Sequence, residues 1–584
     1  MDTAARTLSG AGRLALVAGM VLGPALSGPR QEDGATEERA APDRWAKSPP
    51  LWLEENWDGR KLEHLLNRAA FGASQADIEK WLNHGPRAVI THLLKDRPIV
   101  DDFLNEEVKM DRKAMRDMSG EERRIATKRV RARNRDLFQS YLSWWLDEML
   151  QGPAPLRERM MLFWHNFITS SITEVQRSHL MIQQSQLLRE HALGSYADIL
   201  RDALRDPALL IYLNNNSNEK GHPNENLARE VMELFSLGVG NYTEQDVLQA
   251  ARALTGRGTD KDYGYRFDTR RHDFGEKTIL GVEGRLDADD LVDILIAQPA
   301  CARYVAGQLI EYLEGVMPDE KRVETYAELL RRHDYQMRPM LRRLFLDPEF
   351  YREEVMGARV GSPVDYLVGT CRRLQIEPPA TLLAIGSSLA GQSLLDPPNV
   401  KGWDGGETWI NTSSLMTRGN LAGLLLGTLA DDIEYDAAGE LARRRKLRAP
   451  EKRIVDEDLF VAMDQMQMEV DGTERHAGRD SRSGLDRLAR LASRVGYSPR
   501  MHLTARLLRR GAEGEQAIVD MLLEDLMAIE PPMETRVLVR EYLEAEAKAR
   551  GIDVGKLLES GSESEYLLRD VAHLILSLPE ANLG

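Results

Sequence analysis

The feature that most constrains the fold is a helical spacing of apolar residues that recurs along most of the chain. Leu156, Met160, Phe163, Trp164 and Phe167 follow one another at intervals of four, three, one and three residues, which places them on one helix face. Aromatic residues make up only 6% of the chain and alternating β-branched runs are scarce, which disfavours a β fold. We therefore predict a mainly α protein, with one large domain of many helices.

Two further helices are predicted around the densest polar segment, residues 214–246. Residues 223–237 carry a helical pattern that stops at Gly238. Thr243 and Asp246 form a capping-box-like start for a second helix, which stops at Gly256. Strand signals are confined to residues 263–280, where the segments YGYRF and TILG predict at most a short β-hairpin.

Composition excludes several classes of function. The 584 residues include 93 acidic and 77 basic side chains, and the net charge of −16 argues against nucleic acid or an anionic membrane surface as the main partner. Only two cysteines occur, which excludes a disulfide framework and a zinc site built mainly of thiolates. A single bridge between Cys301 and Cys371 stays open.

The N-terminal segment has the three-part pattern of a secretory signal peptide. Arg6 and Arg13 precede an apolar run at residues 14–26, and Ala25 and Ser27 suit a cleavage site. The run is shorter than the roughly 20 apolar residues that span a bilayer. We expect residues 1–28 to be removed on export to the periplasm or the extracellular space, which would leave no integral membrane segment.

Polar segments divide the rest of the chain. Residues 29–54 are predicted to form a flexible linker, and residues 55–584 the helical domain. Within that domain, residues 105–136 and 430–485 are rich in charge and have little to bury, so we interpret both as polar helical or loop insertions.

Glu230 is the main candidate for chemistry. Helical geometry places Leu227, Val231 and Leu234 on the core face and puts Glu230 on its apolar flank, where a carboxylate needs a partner. One interpretation is a structural ion pair with Arg252 or Arg257. The other is a general acid/base or metal ligand.

Other polar residues complete the predicted site. His165, on an apolar helix, and Arg229 are further candidate catalytic residues, and Asn224 and Glu225 are candidate ligand-binding residues.

A divalent metal is the possible cofactor. His165, His272 and Asp273 are its speculative ligands, since imidazole and carboxylate groups suit zinc, iron or manganese. Each histidine could equally be a locally hydrogen-bonded residue with no role in chemistry.

Residues 396–418 are rich in glycine, tryptophan and asparagine. Such loops present aromatic rings and backbone amides that bind sugars or other polar ligands, and Trp403 is the candidate residue. The alternative is a structural loop wedged by Trp403 and Trp409. The chain has no P-loop, dinucleotide fingerprint, HExxH, GxSxG or CxxC motif.

Several motifs in fixed order resemble the bacterial family catalogued as domain of unknown function 1800. They are LLNRAAFGAS (65–74), LFWHNF (162–167), NENLAREVMELFSLGVGNYTEQDV (224–247), ARALTG (251–256), HDFGEKTILG (272–281) and PPNVKGWDGGETWI (397–410). The resemblance covers about residues 55–584. It implies a large, mostly helical, exported protein and brings no established reaction.

The resemblance also implies a partner and contains one departure. Members of the family are often encoded beside a second exported family, catalogued as 1501 and similar to sulfatases. The family commonly has Trp-His-x-His-Phe where this chain has Phe167 in place of the second histidine, so a family metal site that relies on that pair is in doubt here.

Two functions follow as competing hypotheses. The first is an exported cell-envelope protein that acts with a sulfatase-like exported partner. The second is a metal-dependent or carboxylate acid/base enzyme, a hydrolase or an oxidoreductase. For the enzyme, we expect His165, Glu230, His272 and Asp273 to converge in one cleft.

Overall fold

A computed structural model describes residues 49–99, 103, 118–428, 477–559 and 561–584. The described chain is mainly helical, which confirms the predicted fold class. The predicted signal peptide, most of the linker, residues 105–117 and residues 430–476 lie outside the described residues. Among the described helices, none is long and apolar enough to cross a lipid bilayer.

The first half of the domain carries all of the candidate residues except Trp403, which lies in the second half. The helices are α1 (Pro49–Glu55), α2 (Gly59–Ala70), α3 (Gln75–Trp81), α4 (Gly85–Leu93), α5 (Gly120–Gln151), α6 (Pro155–Phe167), α7 (Ile172–Val175), α8 (Ser178–His191), α9 (Tyr196–Ala203), α10 (Pro207–Tyr212), α11 (Asn226–Glu233) and α12 (Glu244–Ala253). The strands are β1 (Arg257–Thr259), β2 (Tyr265–Phe267), β3 (Lys277–Ile279) and β4 (Val282–Gly284).

The second half of the domain is helical throughout its described part. Its helices are α13 (Ala288–Ala297), α14 (Pro299–Glu314), α15 (Glu320–Arg332), α16 (Met337–Phe345), α17 (Pro363–Leu374), α18 (Ala380–Leu389), α19 (Thr412–Leu426), α20 (Ala477–Arg494), α21 (Leu503–Arg509), α22 (Gly514–Leu526), α23 (Met533–Arg550) and α24 (Ser562–Ser577). Short 3₁₀ turns join them at Pro348–Tyr351, Gly406–Trp409, Val554–Glu559 and Pro579–Asn582.

Most of the local signals in the sequence act as predicted. Helix α6 follows the apolar spacing of residues 156–167, and Thr243 and Asp246 form a reciprocal capping box at the start of α12. Helix α11 is shorter than the predicted 223–237, because the chain leaves the helix after Glu233 and turns before Gly238, whose φ is +76°.

The predicted hairpin is wrong in its pairing. YGYRF and TILG do not pair with each other; β2 pairs antiparallel with β1, and β3 pairs antiparallel with β4. The reason is that each strand finds its partner across a short turn, β1 just before residue 260 and β4 just after Gly281, whose φ of +83° suits glycine.

The last residues of the predicted linker, 49–54, lie in α1, and Leu53 is fully buried against the core. The two prolines suggest a linker, but Pro is tolerated in the first turn of a helix, and the apolar residues 51–53 follow them directly. The described part of the 105–136 insertion, residues 118–136, forms the largely solvent-facing first half of α5.

One continuous apolar core runs through the described chain. Helix α14 packs along α15, α19 along α24, and α18 along α5. The C-terminus returns to this core: Val360 forms a β-bridge with Leu583, and Arg418 donates to Asn582 at 2.8 Å. Both cysteines are buried free thiols, so no bridge joins Cys301 to Cys371.

Candidate functional site

The glycine- and tryptophan-rich loop lies against the end of α6. The side-chain amide of Asn166 binds this loop through both its oxygen and its nitrogen. The Trp403 N–H donates to Asn166 Oδ1 at 2.7 Å, and Asn166 Nδ2 donates to the Trp403 carbonyl at 3.4 Å. Gly402 has a φ of +83°, and a Cβ there would lie 2.2 Å from Asn166 Oδ1. Glycine is therefore required for this close approach.

The same loop is fixed at its other end by Asp396. Its carboxylate accepts hydrogen bonds from the Ser171 hydroxyl, from the Thr173 N–H at 3.2 Å and from the Thr173 hydroxyl at 2.9 Å. These bonds tie residues 396–403 to the start of α7. The motifs at residues 162–167 and 397–410, far apart in sequence, are thus adjacent in the fold.

Glu230 lies within electrostatic reach of this loop. It is half-buried on α11, and no hydrogen bond or ion pair of its carboxylate occurs within the described residues. Burial raises the pKa of Glu230, and the nearby Glu233 carboxylate adds to that rise. Arg229 and Lys401 oppose it, so the exposed Lys401 of the loop lies within electrostatic reach of Glu230.

Tyr212 lies within electrostatic reach of the same carboxylate. Burial raises the pKa of its phenol to about 12, and Glu174, Asp396 and Glu230 contribute in that order. The phenol therefore keeps its proton at neutral pH and remains a hydrogen-bond donor. We define the Glu230 cluster as Glu230, Tyr212, Lys401, Glu174 and Asp396, contributed by α11, α10, the loop and α7.

The predicted ion pair of Glu230 with Arg252 or Arg257 is wrong. Arg252 Nε instead donates to Asp273 Oδ2 at 2.7 Å, and Arg257 lies 3.9 Å from Asp289. Helix α12, which carries Arg252, packs against α11, but the arginine points toward the loop after β2. A helical wheel predicts which face of α11 carries Glu230. It does not predict where the side chains of the neighbouring helix α12 point.

The other candidates on the α11 segment are engaged elsewhere. Arg229 holds Glu244 through two nitrogens, at 2.9 and 2.7 Å, and Glu225 at 3.2 Å. Asn224 donates to the Ser217 hydroxyl at 2.8 Å, and its Oδ1 accepts the Asn226 N–H at 3.0 Å. These contacts fix the start of α11 and link it to α12.

His165 lies under the loop. It is fully buried, with the Trp403 ring centroid 5.6 Å away and that of Trp145 6.4 Å away. Neither ring nitrogen has a hydrogen-bond partner in the part of the chain that the structure describes. Burial lowers the pKa of His165 to about 4, so the imidazole is neutral at physiological pH.

His272 and Asp273 belong to a different contact. The His272 Nδ1–H donates to the Thr255 carbonyl at 2.8 Å, and Asp273 is paired with Arg252. Both residues pin the loop after β2 to the end of α12. No group of three or more His, Cys, Asp or Glu side chains in the described ranges is placed to hold a metal ion, so His165, His272 and Asp273 do not form the predicted metal site.

A shallow cleft of about 640 Å³ lies at the end of the turn that follows α11. Its lining includes Leu237, Val239, Arg303 and Tyr304. Burial raises the pKa of Tyr304, and Glu233 adds to the rise, as it does for Glu230. Glu233 therefore lies within electrostatic reach of both the cleft and the Glu230 cluster.

The structure brings together some of the predicted residues and separates others. Glu230 is near the loop of Trp403, and Trp403 covers His165, whereas the His272–Asp273 pair is held elsewhere by Thr255 and Arg252. Sequence reasoning missed Tyr212 and Lys401. Two signals in the sequence could have identified them. Lys401 lies inside the PPNVKGW motif, and Tyr212 is the polar last residue of the apolar run ALLIY.

Fold and site together define a mainly helical domain in which motifs far apart in sequence meet around one loop. The chain belongs to the family described as Protein of unknown function (DUF1800), whose model matches residues 64–583. Neither the curated proteins nor the solved structures give a significant match.

Proposed function

We propose that the protein is an enzyme that transfers a proton to or from a polar substrate, with the Glu230 carboxyl as the general acid/base. One observation carries the proposal: in the described structure, Glu230 has no hydrogen bond or ion pair, although it is half-buried and within electrostatic reach of Lys401. Its neighbours Glu225, Arg229 and Glu233 are all engaged. A carboxyl whose pKa is raised by burial is typical of groups that exchange protons with a substrate.

The surroundings of Glu230 supply the other roles. The Tyr212 phenol stays protonated and would donate a hydrogen bond to a substrate oxygen. Lys401, exposed on the loop, would stabilise negative charge that develops during the reaction. Arg303 and Tyr304 in the adjacent cleft would bind the part of the substrate that does not react.

A substrate panel with matched variants tests this proposal. The purified chain would be assayed against phosphate, sulfate, glycoside and carboxylate esters, together with Glu230→Gln, Tyr212→Phe and the control Glu225→Gln. Loss of a positioned acid/base group costs about 10²- to 10⁴-fold in rate. We expect that loss in Glu230→Gln and near-normal turnover in Glu225→Gln. Equal activity in Glu230→Gln and wild type would contradict the proposal, as would a folded wild-type protein without turnover on any class.

We further propose export to the cell envelope, on the basis of the leader pattern in residues 1–28. Fractionation of cells that express the full chain tests this: a mature protein that starts near residue 29, outside the cytoplasm, is the expected result. Retention of an uncleaved chain in the cytoplasm would refute export.

A second candidate function is that of a binding partner for a sulfatase-like exported protein. The observation that favours a binding role is the exposure of the aromatic residues Tyr265 and Phe267 on the β1–β2 hairpin. Pull-down from envelope extracts at physiological salt tests it. Failure to recover a sulfatase-like protein would remove this candidate.

A further inference from the structure

The hydrogen-bond pattern of the β1–β2 hairpin shows which backbone groups face outward. The Asp268 N–H donates to the Gly256 carbonyl and the Asp260 N–H donates to the Gly264 carbonyl, both at 2.8 Å. Inward and outward residues alternate along an antiparallel pair. In the register that joins Gly258 to Arg266, the backbone groups of Tyr265 and Phe267 therefore point away from β1.

The two edges of this small sheet differ. The outer edge of β1 is closed, because Asn215 Nδ2 donates to the Arg257 carbonyl at 2.8 Å and the Thr259 N–H donates to Asn216 Oδ1 at 2.7 Å. The outward N–H and C=O groups of Tyr265 and Phe267 have no such partner among the described residues. The outer edge of β2 is thus an open strand edge, which is a template for pairing with another chain.

The side chains along this edge follow the strand alternation. Tyr265 and Phe267 share one face and are 38% and 40% exposed. Arg266 lies on the opposite face, and its only ion pair in the described structure is the exposed one with Asp268 at 3.0 Å. Exposed pairs of this kind contribute little to stability and exchange partners readily.

The hairpin is held rigidly enough to act as a template. The Phe267 ring packs against His272 with centroids 5.1 Å apart. At the turn, Arg177 donates to the Tyr263 hydroxyl at 2.7 Å and lies over its ring. Preorganisation lowers the entropic cost of binding an extended segment.

We propose that the β2 edge binds an extended segment of a partner polypeptide as a third strand, with an acidic residue opposite Arg266 and an apolar residue on each side of it. The alternating face of Tyr265 and Phe267 would receive the apolar residues. A second copy of this chain fits less well. A two-fold pairing that uses both outward residues places Arg266 directly opposite Arg266, and like charges in that position are destabilising.

The test uses the full chain and two synthetic peptides, acetyl-Thr-Val-Glu-Val-Thr-amide and its counterpart with lysine in the central position. Binding is followed by titration, and the bound edge is located by amide hydrogen exchange. We expect the glutamate peptide to bind roughly two- to fivefold more tightly than the lysine peptide. We also expect slower exchange of the Tyr265 and Phe267 amides in the complex.

Charge reversal distinguishes a specific edge from a general charge effect. Arg266→Glu is expected to invert the preference between the two peptides. Arg270→Glu is the matched control, because Arg270 also pairs with Asp268 but lies outside the strand, and it should leave the preference unchanged. Circular dichroism confirms that both variants are folded.

Three results would overturn the proposal. The first is no binding of either peptide at millimolar concentration to the folded chain. The second is a peptide preference that Arg266→Glu and Arg270→Glu change equally. The third is slower exchange at the same amides that grows with protein concentration in the absence of peptide, which would make a second copy the occupant.

Discussion

The substitution Glu230→Gln separates a functional carboxyl from a structural one. Glutamine keeps the shape of the side chain and removes only its charge. Because Glu230 makes no ion pair with the described residues, the change breaks no contact of that kind. A substitution that removes no such feature usually changes the free energy of unfolding by about 0.5 kcal/mol or less. We therefore expect Glu230→Gln to be as stable as wild type, or slightly more stable.

Glu158 provides the positive control on the same domain. Its carboxylate receives Arg189 Nε at 2.8 Å and Arg157 Nε at 3.2 Å, and the side chains of Glu158 and Arg189 are both 0% exposed. Removal of one partner from a buried ion pair costs about 3–5 kcal/mol. Glu158→Gln should therefore unfold at a much lower urea concentration than wild type, while Glu230→Gln should not.

The pH dependence gives a second, independent readout. Burial raises the pKa of Glu230 above its ordinary value of 4.5, so the ionised carboxylate weakens the folded state at neutral pH. Any stability advantage of Glu230→Gln is present above the raised pKa. It disappears as the pH falls below about 4, where the carboxyl is protonated in both the folded and the unfolded chain.

Urea denaturation of wild type and the two variants at pH 7 and pH 4 measures these effects. A Glu230→Gln protein that unfolds as early as Glu158→Gln would refute the reasoning. It would show that the Glu230 carboxylate has a structural partner, and it would favour the interpretation of Glu230 as a member of an ion pair.

Three further predictions test the loop, a buried carboxyl and the thiols. Gly402→Ala should destabilise the protein by more than Gly405→Ala, since both residues have positive φ but a Cβ meets no atom within 4 Å at Gly405; equal melting temperatures would contradict this. Burial raises the pKa of Asp206 to about 7 from 3.8, so the wild type should lose stability as the pH rises from about 4 to 7. Asp206→Asn should not show this loss. If the urea midpoint changed by the same amount between pH 5 and pH 8 in both proteins, the prediction would be contradicted. Cys301 and Cys371 are buried and should react with a thiol reagent only after denaturation. If fewer than two thiols react in the unfolded, unreduced chain, the two cysteines form a bridge.

Local chemistry determined much of this fold. The apolar spacing of residues 156–167 and the Thr243 capping box are interactions between residues a few positions apart, so they are visible in the sequence. The same applies to the mainly helical class, because helical periodicity and scarce strand signals are summed over many short windows. Three of the segments near the site, residues 162–167, 224–247 and 397–410, were also apparent as motifs.

Tertiary structure alone decided which side chains meet. The sequence placed Glu230 on the flank of a helix, but the neighbours of that flank come from α7, α10 and residues 396–403, which no local spacing relates to α11. The sequence allowed Arg252 to pair with Glu230, but in the structure Arg252 pairs with Asp273. The side-chain direction on a packed helix depends on the elements around it. For that reason Glu230 and the loop at residues 396–403 were recognisable in the sequence, whereas the contributions of Tyr212, Lys401 and Glu174 were not.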